Sequence, residues 1–408
     1  MFTGFPIAGS SSPRGLYSSL GGARNASSAT LLVPVPLLLV LAALSSGFVV
    51  WVALDSHTFS DFGAFYDSAL AVREGRNLYE SAITKAGWHS MNPPHFILLM
   101  VPLTWVSIRS ALIVWWLFTA LTMVVCVRLW RRALPAGWAL ALFALLAASA
   151  AGYLNIRAAN QTWLFAAVVT WAWMAWREKR HGHAAAVLGW AASVKLFLLI
   201  VLPYLIWRRK WNAVAWFLIA IVATVAAGVA TFGFEAYVAW VRALSDQAWQ
   251  GQALSMSSLG TITRLFDNLR SASAVDATWL IVPVWLAVTA GLLTILYLCL
   301  RCEDADRDFA ALLITMLLIT PSGWVYYVPL FAAPAAATVA RSGGSWLWIA
   351  GVLLLLMPYP FVAIATGSSL LLVTVGSIYF WGGLALLAAV LKTAQLPLAP
   401  IALDPRVQ

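Results

Sequence analysis

The chain has 408 residues, of which 62% are hydrophobic and only 10% charged, with a mean hydropathy of +0.86. That composition excludes an ordinary soluble domain and points to an integral α-helical membrane protein, since each bilayer crossing needs about 20 consecutive apolar residues. The net charge of +10 invites a nucleic-acid reading, but the basic residues fall in short clusters between apolar runs, which is the pattern of the positive-inside rule and calls for no nucleic-acid partner.

In chain order, residues 1–30 are rich in Ser, Gly and Ala, with Arg14 and Arg24 well ahead of a long apolar run. They predict a disordered cytoplasmic tail and an uncleaved first span over 31–54, rather than a cleavable signal. The polytopic domain is expected over 31–395, with about 10–13 transmembrane or re-entrant helices, followed by a cytoplasmic tail over 396–408. Its first outer loop carries His57-Thr58-Phe59-Ser60-Asp61. There Phe62, Phe65, Tyr66, Ala69 and Leu70 recur at helical spacing and draw an apolar stripe, which predicts an exoplasmic helix lying flat in the interface and started by Ser60 or Asp61. Asp61 has two readings. An acidic residue at a helix start complements the dipole, and a carboxylate so placed is rigid and ionised, as a general base requires.

The positive-inside rule sets the path. Arg128/Arg131/Arg132, Arg177/Lys179/Arg180, Arg208/Arg209/Lys210, Arg301/Arg307 and Arg341 belong inside together with both termini, which leaves Arg109 and Lys195 at membrane depth. On this path the runs 93–105 and 184–207 cannot both be single crossings. A broken or re-entrant helix near Ser193-Val194-Lys195 resolves the conflict, with Lys195 turned to a polar cavity because an unpaired cation in lipid costs several kcal/mol. Cys299-Leu300-Arg301-Cys302 has CxxC spacing but no second ligand pair, so a metal site is not expected.

Polar, non-basic residues punctuate the outer side: Asn92-Pro93-Pro94-His95, Asn155-Ile156-Arg157 with Asn160-Gln161, Gly251-Gln252 with Ser255, and Thr320-Pro321-Ser322-Gly323-Trp324-Val325-Tyr326-Tyr327. Singly, such residues bridge helices; converging on one face, they mark a substrate pathway. Arg157 and Lys195 are candidates for holding an anion such as a lipid phosphate, with snorkelling as the alternative for Arg157. Trp324 can stack on a sugar ring.

In four segments the sequence resembles the GT-C class of polytopic glycosyltransferases, and within it glycosyltransferase family 87, the polyprenol-phosphate-mannose-dependent mannosyltransferase-like proteins. They are Asp61-Phe62 through Leu78-Tyr79 with Asn92-Pro93-Pro94; Asn160-Gln161; Lys195 with Trp207-Arg208-Arg209-Lys210-Trp211; and Pro321-Ser322-Gly323-Trp324. The similarity covers roughly 44–334. The resemblance implies transfer of a hexose, mannose first, from a polyprenyl-phosphate sugar to a lipid-linked or cell-envelope glycan acceptor on the exoplasmic face of a bacterial plasma membrane. It implies inversion at the anomeric carbon, no divalent metal and no cofactor, with Asp61 taking the proton from the acceptor hydroxyl. Where the family carries a histidine pair, this chain has Tyr326-Tyr327. Tyrosine is no cation at neutral pH, so phosphate handling shifts to Arg157, Lys195 or Arg264. Two other classes stay open: a secondary transporter or lipid flippase, against which the absence of a visible inverted repeat speaks, and a non-catalytic membrane-assembly subunit.

Overall fold

The computed structural model describes residues 60–79, 90–245, 251–273, 278–301, 303–342, 344–359, 362 and 369–393. The expected tails over 1–30 and 396–408 and the first span over 31–54 lie outside them. Among the described residues the regular elements are all helices, and the extended pairing is a single antiparallel bridge between Ser255 and Trp324.

The described chain opens on α1 (Ser60–Arg73), then α2 (Pro94–Met100), which passes through a 3-10 turn (Val101–Trp105) to α3 (Ile108–Ala133). A bent pair follows, α4 (Trp138–Ala148) and α5 (Ala150–Ala158), meeting at 66°. Next come α6 (Thr162–Arg177), α7 (His181–Val194), a second 3-10 segment (Leu196–Ile200) and α8 (Val201–Trp207). The rest is α9 (Trp211–Phe232), α10 (Phe234–Ser245), α11 (Ser258–Ser273), α12 (Ile281–Cys299), α13 (Ala305–Ile319), α14 (Pro329–Ser342), α15 (Trp346–Leu355), α16 (Ser369–Thr374) and α17 (Ile378–Lys392).

Apolar helices serve here in two ways. Four stretches are long and apolar enough to cross a bilayer: Ile108–Ala133, Trp211–Phe232, Thr278–Cys299 and Leu371–Lys392, with the bent pair α4–α5 as a fifth candidate. Within α9 and α12 only 17% and 11% of the apolar window is buried, so these helices turn side chains such as Ile219, Val222 and Val282 outward, where lipid would lie. By contrast α13 is buried all round from Asp306 to Leu318, and α6 and α14 bury most of their length. These inner helices have 14 to 16 residues, or roughly 21–24 Å at 1.5 Å per residue. They fall short of the roughly 30 Å hydrocarbon core, and irregular polar segments complete them at both ends.

The two ends differ in chemistry. α13 begins with Asp304, whose Oδ1 accepts from the Asp306 and Arg307 amides and pairs with Arg341 at 2.7 Å. Arg341 also reaches Asp306 (2.9 Å), Arg177 approaches Asp306 (3.4 Å), and Arg208 and Arg307 flank Asp308. The Trp173 indole and the Tyr204 hydroxyl donate to Asp306 and Asp308, both at 2.9 Å. Burial alone would raise the Asp304 carboxyl, but the Arg341 guanidinium and the helix amides hold it below the usual carboxylate range. Four clusters expected on one side, those of Arg177, Arg208, Arg307 and Arg341, thus meet in one network. The opposite ends of α6 and α13, at Gln161 and Thr320, are carboxylate-poor and adjoin the cavity described next.

One expectation changes. The α1 stripe packs on protein: Phe62, Phe65, Tyr66 and Ala69 are buried, with Phe62 and Phe65 against Trp115 and Phe65 against Phe96. A helical stripe identifies a face that leaves water, and here protein outcompetes lipid for it. Arg109, placed at membrane depth by the charge path, is exposed in the first turn of α3, at the end of that candidate span.

Candidate active site

A cavity of about 190 Å³ opens where the start of α1, the 91–92 segment, the 194–197 segment, α10 and the 320–327 segment meet. Asp61 lies in the first turn of α1 and faces this space with Asn92, Lys195, Trp324, Tyr326 and Tyr327. The Asp61 carboxylate acts electrostatically on Lys195, Tyr326 and Tyr327. Among the residues lining the cavity it is the one carboxylate, and Lys195 is the one cation.

Local sequence explains why each wall is where it is. Helix α7 stops at Val194 and Lys195 is extended, at φ −118° and ψ 90°; the segment expected to be broken over 184–207 breaks at this residue. Downstream, Pro203 cannot donate to the Leu199 carbonyl and crowds that turn, so the backbone relaxes into the 3-10 segment before α8 regains helix. The extended Lys195 then delivers its Nζ to Asn92 Oδ1 (3.2 Å) and over the Tyr327 ring (5.7 Å). Asn92 precedes Pro93, which favours extended backbone, and Pro94 opens α2 at its first turn. The Tyr79 hydroxyl donates to the Asn92 carbonyl (2.7 Å) and the Trp240 indole to the Met91 carbonyl (3.0 Å). Gln161 Nε2 gives Asn92 Oδ1 a second donor at 2.8 Å. Two donors on one oxygen fix the amide orientation, so Asn92 presents its Nδ2 as the remaining polar atom.

The aromatic wall is pinned from behind. Met256 N donates to the Gly323 carbonyl (2.7 Å) and Val325 N to the Leu254 carbonyl (3.0 Å). Gly323 is required at this crossing, because a Cβ would stand 2.0 Å from the Leu317 carbonyl oxygen. Asn155 Nδ2 donates to the Tyr326 carbonyl at 2.9 Å. Trp324 and Tyr326 stack at 6.2 Å and 14°, and Tyr326 meets Tyr327 edge-on at 4.6 Å, giving a flat π surface beside the Asp61–Lys195 pair.

The other residues singled out from sequence take supporting places outside the cavity lining. Buried Arg264 donates to the Gln252 carbonyl (2.6 Å), the Ser255 carbonyl (3.4 Å) and Ser377 Oγ (3.0 Å). It braces the irregular 251–255 segment that bridges to Trp324 and does not line the cavity. Arg157 is exposed and bonds Tyr153 Oη at 3.1 Å. His95 sits between Tyr237 (2.9 Å) and Ser193 (3.2 Å) as an internal link. Asn160 Oδ1 accepts from the Thr162 amide (3.0 Å) in the turn that leads into α6, Gln161 backs Asn92, Gln252 is exposed, and Ser255 bonds Ser257 at 2.9 Å. The cavity also uses residues that were not singled out. Met91, Phe197, Trp240, Thr320 and Ser322 line it with Phe65; from sequence, Phe65 reads only as part of the apolar stripe, and Thr320 and Ser322 only as part of the polar segment 320–327. Among the described residues no group of three or more His, Cys, Asp or Glu side chains is placed to hold a metal ion.

A family model, glycosyltransferase family 87, matches residues 90–321, narrower than the 44–334 expected but more than half of the 408 residues. No curated protein and no solved structure matches the chain. The matched region contains Asn92, Gln161 and Lys195, whereas Asp61 and the Trp324 to Tyr327 wall fall outside it. The chain belongs to glycosyltransferase family 87 and is a membrane glycosyltransferase.

Proposed function

We propose that the enzyme transfers a hexose, mannose in the first instance, from a polyprenyl-phosphate donor to a lipid-linked or envelope glycan acceptor on the exoplasmic face. Asp61 serves as general base and the anomeric centre inverts. The observation that carries this reading is the Asp61 carboxylate and the Lys195 ammonium facing one cavity as its one anion and one cation.

Glycoside hydrolases usually need two carboxyl groups because the departing alkoxide must be protonated. A phosphate monoester leaves as a stable anion, so one carboxylate suffices if a cation receives the charge. In the step proposed, the acceptor hydroxyl gives its proton to Asp61 as its oxygen forms the new bond to C1. The bond from C1 to the phosphate oxygen breaks on the opposite face, and the lipid phosphate departs toward Lys195 and the Asn92 Nδ2. The Trp324–Tyr326 surface takes the apolar face of the sugar. At about 190 Å³, the cavity lies below the roughly 300–1,000 Å³ of drug-sized sites, which suits one sugar ring rather than a glycan chain. The basic network at the far end of α6 and α13 supports placing the cavity on the outer side under the positive-inside rule.

The test is transfer from purified polyprenyl-phosphate mannose by nanodisc-reconstituted enzyme, with product stereochemistry read by NMR. An anomer retained relative to the donor, or consumption of a nucleotide sugar instead, would refute the mechanism or the donor respectively.

A further inference from the structure

At the ion-pair end, away from the cavity, the turn joining α6 to α7 and the turn joining α8 to α9 have the same build. Lys179 (φ 60°) and Arg209 (φ 53°) both lie in the left-handed region. Their amides close on the Trp176 and Ile206 carbonyls, both at 2.9 Å, and the following residues, Arg180 and Lys210, close on Ala175 (2.8 Å) and Leu205 (3.1 Å). Glycine is the usual occupant of such a position after a helix, since a side chain there is strained. Both turns nevertheless place a long cation in it.

Close packing sets the two turns side by side. A Cβ on Gly189 would stand 2.2 Å from the Phe217 carbonyl oxygen, and one on Gly182 would stand 2.9 Å from Trp216 Cδ1, so α7 and α9 meet almost backbone to backbone. Between the turns lies a cavity of about 700 Å³ whose lining includes Lys179, Arg180, Arg209 and Lys210 and no carboxylate. Arg180 and Lys210 pair outside that lining with Glu178 and Glu303. Lys179 and Arg209 have no ion pair among the described residues and are exposed. Trp211 and Trp216 flank the cavity at 62% and 47% exposure, and Ile219 (54%) and Val222 (65%) continue the outward face of the spanning helix α9. Exposed tryptophans above an apolar outward face mark headgroup depth.

We propose that this cradle binds the phosphate of an anionic phospholipid headgroup, in the leaflet opposite the catalytic cavity. A phosphate diester between Lys179 and Arg209 would gain charge-assisted hydrogen bonds from both turns, while its acyl chains follow α9. The lipid source is favoured over a soluble anion because the cradle opens beside lipid-facing side chains.

The test uses the full chain in nanodiscs of phosphatidylcholine alone or mixed with phosphatidylglycerol, comparing wild type with the double variant Lys179→Gly/Arg209→Gly. Glycine relieves the left-handed strain while removing both charges. The variant should therefore melt at or above the wild-type temperature in pure phosphatidylcholine. Native mass spectrometry should show wild type retaining phosphatidylglycerol, and the variant should lose roughly tenfold or more in apparent affinity per charge removed. Equal retention of phosphatidylglycerol by both proteins would overturn the proposal. So would inorganic phosphate in pure phosphatidylcholine reproducing the wild-type stabilisation, since the ligand would then be a soluble anion. If the glycine variant does not fold, Lys179→Gln/Arg209→Gln is read by the same criteria.

Discussion

Replacing Asp61 by Asn separates chemistry from structure at one atom. Asp61 lies in the first turn of α1, whose attachment to the protein is made by Phe62, Ala64, Phe65 and Ala69, each at most 4% exposed. Removing the negative charge from a helix's first turn costs about 0.3–1 kcal/mol, small against that packing, so expression and melting temperature should stay near wild type. Losing a general base lowers turnover by about 10²–10⁴-fold, equivalent to roughly 2.7–5.5 kcal/mol in the barrier. Electrostatics adds a sign. The variant removes an anion from a cavity proposed to receive a phosphate, so donor affinity should be unchanged or tighter, and the loss should appear in kcat with a flat or lower donor KM. Single-turnover transfer in nanodiscs, with donor binding measured by titration on the same preparation, reads both quantities. Wild-type turnover by Asp61→Asn would show that the carboxylate only complements the helix, and a weakened donor Kd with intact chemistry would show that it binds rather than activates.

Other expected outcomes follow from the same contacts. Lys195→Met removes the one cation of the cavity and one donor to Asn92 Oδ1, so kcat/KM for donor should fall about 10–100-fold, the worth of a charge-assisted bond, with no loss in melting temperature. Arg264→Lys leaves several of the carbonyls in the 251–255 segment unbraced, and should lower stability and kcat with little change in donor KM, whereas Arg157→Ala should be nearly silent in both transfer and melting assays. Gly323→Ala forces a Cβ against the Leu317 carbonyl, and overpacking of about 1–3 kcal/mol should show as a lower melting temperature together with reduced transfer. Because Asp304 is held below the ordinary carboxylate range, its contribution to stability is present above that range and lost as pH falls below it. Asp304→Asn should therefore melt lower than wild type at neutral pH and show a flatter acid-side decline.

What could be read from the sequence depended on how local its cause was. The break at Lys195 was legible because a cation in an apolar run and charge clusters on conflicting sides leave few solutions, and Pro203 lies within the same turn or two. The helical start at Ser60 and the polar character of 320–327 were local for the same reason. Which of the remaining polar residues stay out of the cavity was not legible. A helix turns its residues by 100° each, and whether Arg264 reaches a substrate or the carbonyls of its own loop depends on contacts as distant in sequence as Ser377. Asn155 holds the backbone of Tyr326 across 171 positions, and no spacing announces that. The alternation Asp304, Asp306, Asp308 beside Arg307 was a visible sign of the ion-pair network that passed unused, because attention to basic clusters treated them as topology alone.

The shortness of the inner helices has a consequence for selectivity. A carboxylate that activates an acceptor hydroxyl activates water equally well, and an enzyme of this design becomes a donor hydrolase unless water is scarce at C1. With α6 and α13 only about 21–24 Å long, shorter than the roughly 30 Å hydrocarbon core, a site at their ends would be recessed below the level of the headgroups. An aromatic wall and the buried flank of α1 enclose it. Water would then have to descend to reach the reaction, while the membrane-tethered acceptor proposed above would already be at that depth. If the proposed mechanism holds, thicker bilayers should raise the ratio of glycoside formed to donor hydrolysed.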